Sequence, residues 1–429
     1  MERIDRMCEC VCRGARIGVA LTTIIGAGVA LATPSRAADS MTWIGTWAAS
    51  PQPVWDGDFP LPTLLPFNLW NQTVRQVVRL SLGGNRLRIV ISNEYGTEPL
   101  IINAAHIALA GQGSAIRDGS DRVLTFSGSE TAVVPPGAPM ISDPVDIDVP
   151  ARGDVSVSLF VASPTPLSTF HWDAEQAGYI GAGNQVAAAA IKDPSEITTR
   201  IFLTDVLVEA PQGARTVVAL GDSITDGAAS GLNLNVRWPD FLAERLAGDN
   251  VAVLNAGISG ARLLRSRMGE NALARFGRDV LSQPNIRAVV VLIGINDIAW
   301  PGQSFAPRDP FPTLDDIVTG FRQLIAQAHT RNIRIVVGTL TPFENALAGS
   351  PLEGYYNRQR DELRQKVNAW IRTSGEFDAV VDLDAIIRDP ANPLHMKAEY
   401  DSGDHLHAGA GGTKAIADAM TLDVLFGNQ

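Results

Sequence analysis

The chain has 429 residues, 45% hydrophobic and 19% charged, a composition that allows two or three folded domains and excludes a disordered or low-complexity protein. Its 46 acidic against 35 basic residues give a net charge of −11, which argues against nucleic acid and anionic membranes as partners.

Residues 1–37 differ from the rest. Arg3, Arg6, Arg13 and Arg16 precede an apolar run over Ile17–Ala32, and Ser35-Arg36-Ala37 then offers small residues for cleavage. This is the plan of a signal peptide, so the protein is expected to be secreted or periplasmic. The competing reading, an uncleaved anchor, asks for the roughly 20 apolar residues of a spanning helix, and this run is shorter. All three cysteines, Cys8, Cys10 and Cys12, fall in the leader, so the remainder has no disulfide and no thiolate chemistry. The leader holds five basic and three acidic residues; the rest carries 30 against 43, a net charge of −13. No stable membrane association is expected after its removal.

Residues 42–72 are rich in proline and tryptophan, with Trp43, Trp47, Trp55 and Trp70 among the eight tryptophans. They read as packing in a long irregular connection, with a sugar-stacking surface as the alternative. Up to residue 209 the pattern is strand-like. Thr73–Leu82 and Arg86–Asn93 alternate around Gly83-Gly84-Asn85, a hairpin signal. Arg122–Phe126, Val145–Val149, Val155–Val161 and Ile201–Val208 follow, and only Ala187–Ala190 is ambiguous. An all-β sandwich, of jelly-roll type, is expected over 38–209.

Ala210-Pro211-Gln212-Gly213-Ala214 reads as a linker. From 215 to 429 the signals alternate: strands at 216–220, 250–254, 287–293, 333–339 and 378–382, helices near 239–247, 272–281, 313–331, 356–373 and 412–425. The expectation is α/β, a parallel five-stranded sheet flanked by helices. Its chemistry belongs in the loops at the carboxyl ends of the strands.

Four blocks occupy such loops. Gly221-Asp222-Ser223 follows the first strand, Asn255-Ala256-Gly257-Ile258-Ser259-Gly260 the second, and Gly294-Ile295-Asn296-Asp297 the third. Asp404-His405-Leu406-His407 precedes the last helix. Acyl transfer by a serine needs a base within reach and a carboxylate that fixes the base's tautomer, and the last block supplies both. His405 competes with His407 as base, but its spacing from Asp404 is short. Asp404, His405 and His407 as zinc ligands lack a further partner. Asp222, Asp226 and Asp297 read as braces for their loops, and His106 and His171 as satisfied structural histidines. Ile298–Pro312 and Pro342–Gly354 are long connections on the catalytic edge and are expected to shape the pocket.

The four blocks resemble those of the SGNH (GDSL) hydrolase superfamily, a group of serine esterases. The resemblance covers residues 215–429 and implies a flavodoxin-like fold. It makes Ser223 the nucleophile, His407 the base and Asp404 its orienting carboxylate. It also implies an oxyanion hole from the N–H groups of Ser223 and Gly257 and the Asn296 amide, with no cofactor and no metal. Ala408 stands where the family often has proline. The implied partner is a small-molecule ester or an acetylated carbohydrate. Lipase, lysophospholipase or thioesterase activity, transfer to another alcohol, and an inactive glycan-binding protein are the alternatives. Oligomeric state is not legible.

Overall fold

The computed structural model describes residues 41–55 and 57–427; the leader and its three cysteines lie outside the described residues. Within this unit an antiparallel β part precedes an α/β part.

The β part contains two main antiparallel sheets. The first runs Met41–Ala48, Leu203–Pro211, Gly84–Ser92 and Pro139–Ile141, with Val145–Val149 also paired to Gly84–Ser92. The second runs Ser195–Ile197, Gly178–Ala182, Gln72–Arg79, Asp154–Val161, Ala104–Leu109 and Arg122–Leu124. Leu87, Ile89 and Ile91 alternate along one strand and Val155, Val157 and Leu159 along another; all six are buried in one shared core, as period-two patterning requires.

The expected hairpin at Gly83-Gly84-Asn85 does not form. Gln72–Arg79 pairs in the second sheet and Gly84–Ser92 in the first, so the chain changes sheets there. The glycines answer to crowding. A Cβ on Gly83 would lie 2.3 Å from the Ala151 nitrogen, and one on Gly84 2.3 Å from Val208 Cγ2. The Ala187–Ala190 run is irregular.

The linker is shorter than expected. Ala210 and Pro211 still pair with Thr42 and Met41, and only Gln212–Ala214 turn before the strand Arg215–Gly221 begins. The two parts also touch along a broad face. Gly45 lies so close to the strand Val251–Gly257 that a Cβ would sit 2.9 Å from Leu254 Cδ1, and the Val253 N–H donates to Ser81 Oγ at 3.1 Å.

In the α/β part five parallel strands lie in the order Val251–Gly257, Arg215–Gly221, Ile286–Leu292, Arg334–Gly338, Ala379–Val381. The chain leaves the first strand toward one edge and later returns past it to the other, which opens a crevice beyond its carboxyl end. Buried helix faces cover both sides of the sheet. Trp238–Leu246, Leu314–His329 and Arg358–Thr373 fall where expected. Thr313 and Asp316 form a capping box and Asn357 caps the next long helix, each satisfying N–H groups that would otherwise lack partners. The last expected helix is broken. Ala410–Ala419 ends at Met420, Thr421 caps Leu422–Phe426, and the Arg245 guanidinium fills the carbonyls at the break, Ala417 O at 2.6 Å and Met420 O. Among the described residues no helix is long and apolar enough to cross a membrane.

Candidate active site

The helix Ser223–Asp226 starts at once after the first strand. Asp222 is its N-cap, with Oδ1 accepting from the Ile224 N–H at 3.1 Å, so the Ser223 hydroxyl is left free of capping. Burial pushes the Asp222 carboxyl up to about 7, against the opposing pull of that N–H and of His407. Gly227, with φ 118°, ends the helix in a conformation that only glycine adopts without strain.

His407 comes to this serine from 184 residues away: its Nε2 lies 2.8 Å from Ser223 Oγ. Its Nδ1 lies 2.6 Å from Asp404 Oδ2, and Asp404 Oδ1 accepts from the N–H groups of Leu406 and His407 at 2.9 and 2.8 Å. Burial alone would raise the Asp404 pKa, but the imidazole and these two amides outweigh it and hold the carboxyl well below its ordinary range. An ionised Asp404 fixes the proton on Nδ1 and turns the Nε2 lone pair to the serine. His405 is directed elsewhere, its Nδ1 2.6 Å from Asp401 Oδ2. Ala408 is buried and bridges to Asp401, which closes the loop without the proline.

The second block needs a correction. Gly257 is the last residue of its strand, and its N–H donates to Asn255 Oδ1 at 2.9 Å, so it is not available to an oxyanion. Glycine is required there because a Cβ would lie 2.3 Å from the Asp226 nitrogen. The pocket is lined instead by Gly260, whose φ is 75°. Among the described residues the N–H groups of Gly260 and Ser223 donate to no protein atom. The turn that presents Gly260 is anchored from behind. Asp226 Oδ2 accepts from Ser259 N–H and Oγ–H at 2.7 and 2.8 Å, and its Oδ1 meets His171 Nε2 at 3.0 Å. His171 thus braces the site across the seam between the two parts.

Asn296 lies on the helix Ile295–Ala299, and its Nδ2 donates one hydrogen to Ala261 O at 3.0 Å. Its Oδ1 accepts from the Tyr355 hydroxyl at 2.7 Å. This pair of bonds fixes which end of the amide carries the NH₂ group and leaves its second hydrogen for the pocket. Tyr355 is buried, and burial followed by the charge of Asp222 keeps its hydroxyl a phenol, a donor. Arg360 donates to Gly354 O and to Pro301 O, the latter at 2.7 Å, which joins the two long connections. Asp297 braces the segment that follows the second block, accepting from Leu263 and Leu264 N–H at 2.7 and 2.9 Å, and burial pushes its pKa up to about 6. Tyr355→Phe is expected to lower kcat about tenfold on p-nitrophenyl acetate with KM and the pH profile unchanged. Asn296→Ala is expected to cost roughly 10²–10³, the loss typical of one oxyanion donor.

The Ser223 pocket has a volume of about 370 Å³. One wall is apolar and includes Met268, Trp300, Phe305 and Leu352. The β part closes another side with Leu61, Trp172 and Asp173. Trp55 stands behind that side, its ring 5.4 Å from Trp172 and its Nε1–H donating to Met268 O at 2.7 Å. The arrangement can perform nucleophilic attack by a serine on an acyl carbon, with proton transfer through an oriented imidazole.

Comparison with known proteins agrees with this chemistry. Residues 219–415 match the model of the GDSL-like Lipase/Acylhydrolase family. No curated protein matches by sequence. Among solved structures, a carbohydrate acetylesterase family member from Sinorhizobium meliloti is 17% identical, covering 50% of this chain and 100% of its own, with a TM-score of 0.38. A GDSL-like lipase from Bacteroides thetaiotaomicron VPI-5482 is 16% identical, covering 50% and 89%, with a TM-score of 0.37. An acetyl xylan esterase from Geobacillus stearothermophilus is 20% identical, covering 50% and 96%, with a TM-score of 0.35. Residues 219–415 thus carry a GDSL-like lipase/acylhydrolase domain, and the protein is a carboxylic ester hydrolase.

Proposed function

We propose that the protein is a secreted serine esterase that cleaves short acyl groups from hydroxylated alcohols, O-acetylated carbohydrate above all, through an acyl-enzyme. The observation that carries the mechanism is the relay Asp404–His407–Ser223, with hydrogen-bond distances of 2.6 and 2.8 Å. Export is supported by the basic, apolar and small-residue order of residues 1–37.

Ser223 Oγ attacks the ester carbonyl carbon while His407 Nε2 takes its proton, and Asp404 stabilises the imidazolium. The N–H groups of Ser223 and Gly260 and the free Asn296 amide hydrogen receive the oxyanion. As the C–O bond to the alcohol breaks, Nε2–H returns the proton to the leaving oxygen. Water then attacks the acyl-enzyme, with the same imidazole as base and then acid, and frees the carboxylic acid and Ser223.

Asp173 supports the hydroxylated alcohol. It lines the pocket from the β part, and among the described residues its carboxyl accepts no hydrogen bond. It feels the charge of His407, and the alcohol must leave on the imidazole side. A hydroxyl next to the ester oxygen would be its partner, while the apolar wall receives the acyl chain.

A fluorophosphonate probe is expected to label Ser223; an unlabelled protein would point to the inactive glycan-binding alternative. A p-nitrophenyl series from acetyl to dodecanoyl, run beside acetylated xylan, is expected to favour acetyl. Preference for long chains would shift the reading to a lipase, and acyl transfer to an added acceptor sugar would shift it to a transferase. Asp173→Asn is expected to lower kcat/KM on an acetylated sugar about tenfold, as for a lost hydrogen bond to a charged group, and to leave p-nitrophenyl acetate unchanged. Burial, then repulsion from Asp226, pushes the Asp173 carboxyl up to about 6. It gains its charge as pH rises through that value. The ratio of the two substrates' kcat/KM, which cancels any pH dependence the two reactions share, is therefore expected to climb through pH 6 in the wild type and stay flat in Asp173→Asn.

A further inference from the structure

Between the β part and the α/β part lies a second, much smaller cavity of about 40 Å³. It is bordered by Trp47, Arg79, Arg152 and Arg200 on one side and by Asp226, Arg237 and Asp240 on the other. Four pairs of basic and acidic side chains at its edge are in hydrogen-bond contact. Arg79 meets Asp154 at 2.8 Å, Arg152 meets Glu244 at 2.6 Å, Arg237 meets Asp240 at 2.6 Å and His171 meets Asp226 at 3.0 Å.

Arg200 is the exception. It is 1% exposed, with its guanidinium over the Trp47 ring at 5.6 Å. One nitrogen, Nη2, donates to Gln176 Oε1 at 3.0 Å, while Nε and Nη1 have no partner. Among the described residues no carboxylate forms an ion pair with it. Burial, and after it the neighbouring cation Arg237, pulls its pKa down to about 9, still protonated at neutral pH. A buried charge without a counter-charge is strongly disfavoured, and buried N–H groups without acceptors add to the cost. The cavity has room for about two or three water-sized spheres.

We infer that the cavity beside Arg200 is a binding site for one monovalent inorganic anion of halide size, which accepts from Arg200 Nε and Nη1 and completes the charge balance of the seam. The site is separate from the pocket of Ser223. Asp226 relates the two, since it edges this cavity while its carboxylate holds His171 and the Ser259 turn. The anion would favour the docked arrangement of the two parts, because it binds only the folded protein.

Chloride is the probe. Thermal unfolding of the full chain is measured at fixed ionic strength while sodium chloride replaces sodium gluconate. A saturable rise in Tm of about 1–2 °C is expected, from about 1 kcal/mol of linked binding in a protein of this size. Arg200→Met is expected to remove the chloride dependence whatever its own Tm. An equal slope in the variant would overturn the site, since it would mark a general salt effect. Should Arg200→Met fail to fold, crystals of the wild type grown in sodium bromide decide. An anomalous peak beside Arg200 Nε and Nη1 supports the site, and water alone at that position overturns it. Neither readout involves ester cleavage, so both stand apart from the proposed activity.

Discussion

Ser223→Ala is expected to lower kcat on p-nitrophenyl acetate by about 10⁴–10⁶, because it removes the acyl-enzyme route and leaves only binding and the oxyanion donors. The fold is expected to survive. Asp222, not Ser223, caps the short helix, and the hydroxyl's hydrogen bond is the one it shares with His407. Labelling by a fluorophosphonate should vanish in the variant while its Tm stays near that of the wild type. A variant that cleaves at the wild-type rate would remove Ser223 from the chemistry and would reopen every role argued from it. A variant that loses both activity and Tm would instead point to a structural part for the hydroxyl, which a single hydrogen bond to the imidazole does not favour.

The parallel sheet was legible because each strand is a short, nearly continuous apolar run closed by a glycine-rich or polar loop. Arg215–Gly221 and Ile286–Leu292 both differ by a residue or so from the expected spans. Periodicity reports the face that a strand buries, however, and not its partner. The two strands flanking Gly83-Gly84-Asn85 carry the same alternation as a hairpin would, yet they face one another across a core. The linker was overdrawn for a similar reason. Proline and glycine in 210–214 mark a turn, and the edge pairing of Ala210 and Pro211 with Met41 and Thr42 is long-range information.

The site divides along the same line. Ser223, Asn296, Asp404 and His407 are polar side chains in ordered blocks, and chemistry singles them out. The oxyanion glycine does not announce itself, since Asn255–Gly260 contains two glycines and both are obligatory. Gly257 allows the Ser223 helix to approach its strand, whereas Gly260 takes a left-handed turn beside the pocket. The Asx pattern supplied a usable signal: an asparagine two residues before Gly257 can consume that N–H, as Asn255 does. Tyr355, Asp173 and Arg275 had no comparable signal. Arg275 is fully buried and joins the carbonyls of Gly221 and Ala256, at 2.8 and 2.6 Å, to Asp279. It lies on the short helix Ala272–Phe276, outside the four blocks.

Asp404→Asn is expected to cost about 10⁴ in kcat with little change in KM, and it tests tautomer control more directly than truncation does. The carboxylate accepts three hydrogen bonds, one from His407 Nδ1 and two from backbone N–H groups. An asparagine keeps the loop by offering its carbonyl to the backbone N–H groups, but then turns its NH₂ toward Nδ1. The imidazole must answer with its lone pair there and carry its proton on Nε2, where it cannot accept the proton of Ser223. Because the Asp404 pKa is held below its ordinary range, the carboxylate is ionised wherever the enzyme works. Its contribution to the folded state is present above the ordinary carboxylate pKa and is lost only as pH falls through the depressed value. Loss of wild-type activity on mild acidification therefore does not report Asp404, whose charge is already complete there. A variant within tenfold of the wild type would mean that the backbone alone sets the imidazole, and Asp404 would then be a loop brace like Asp401.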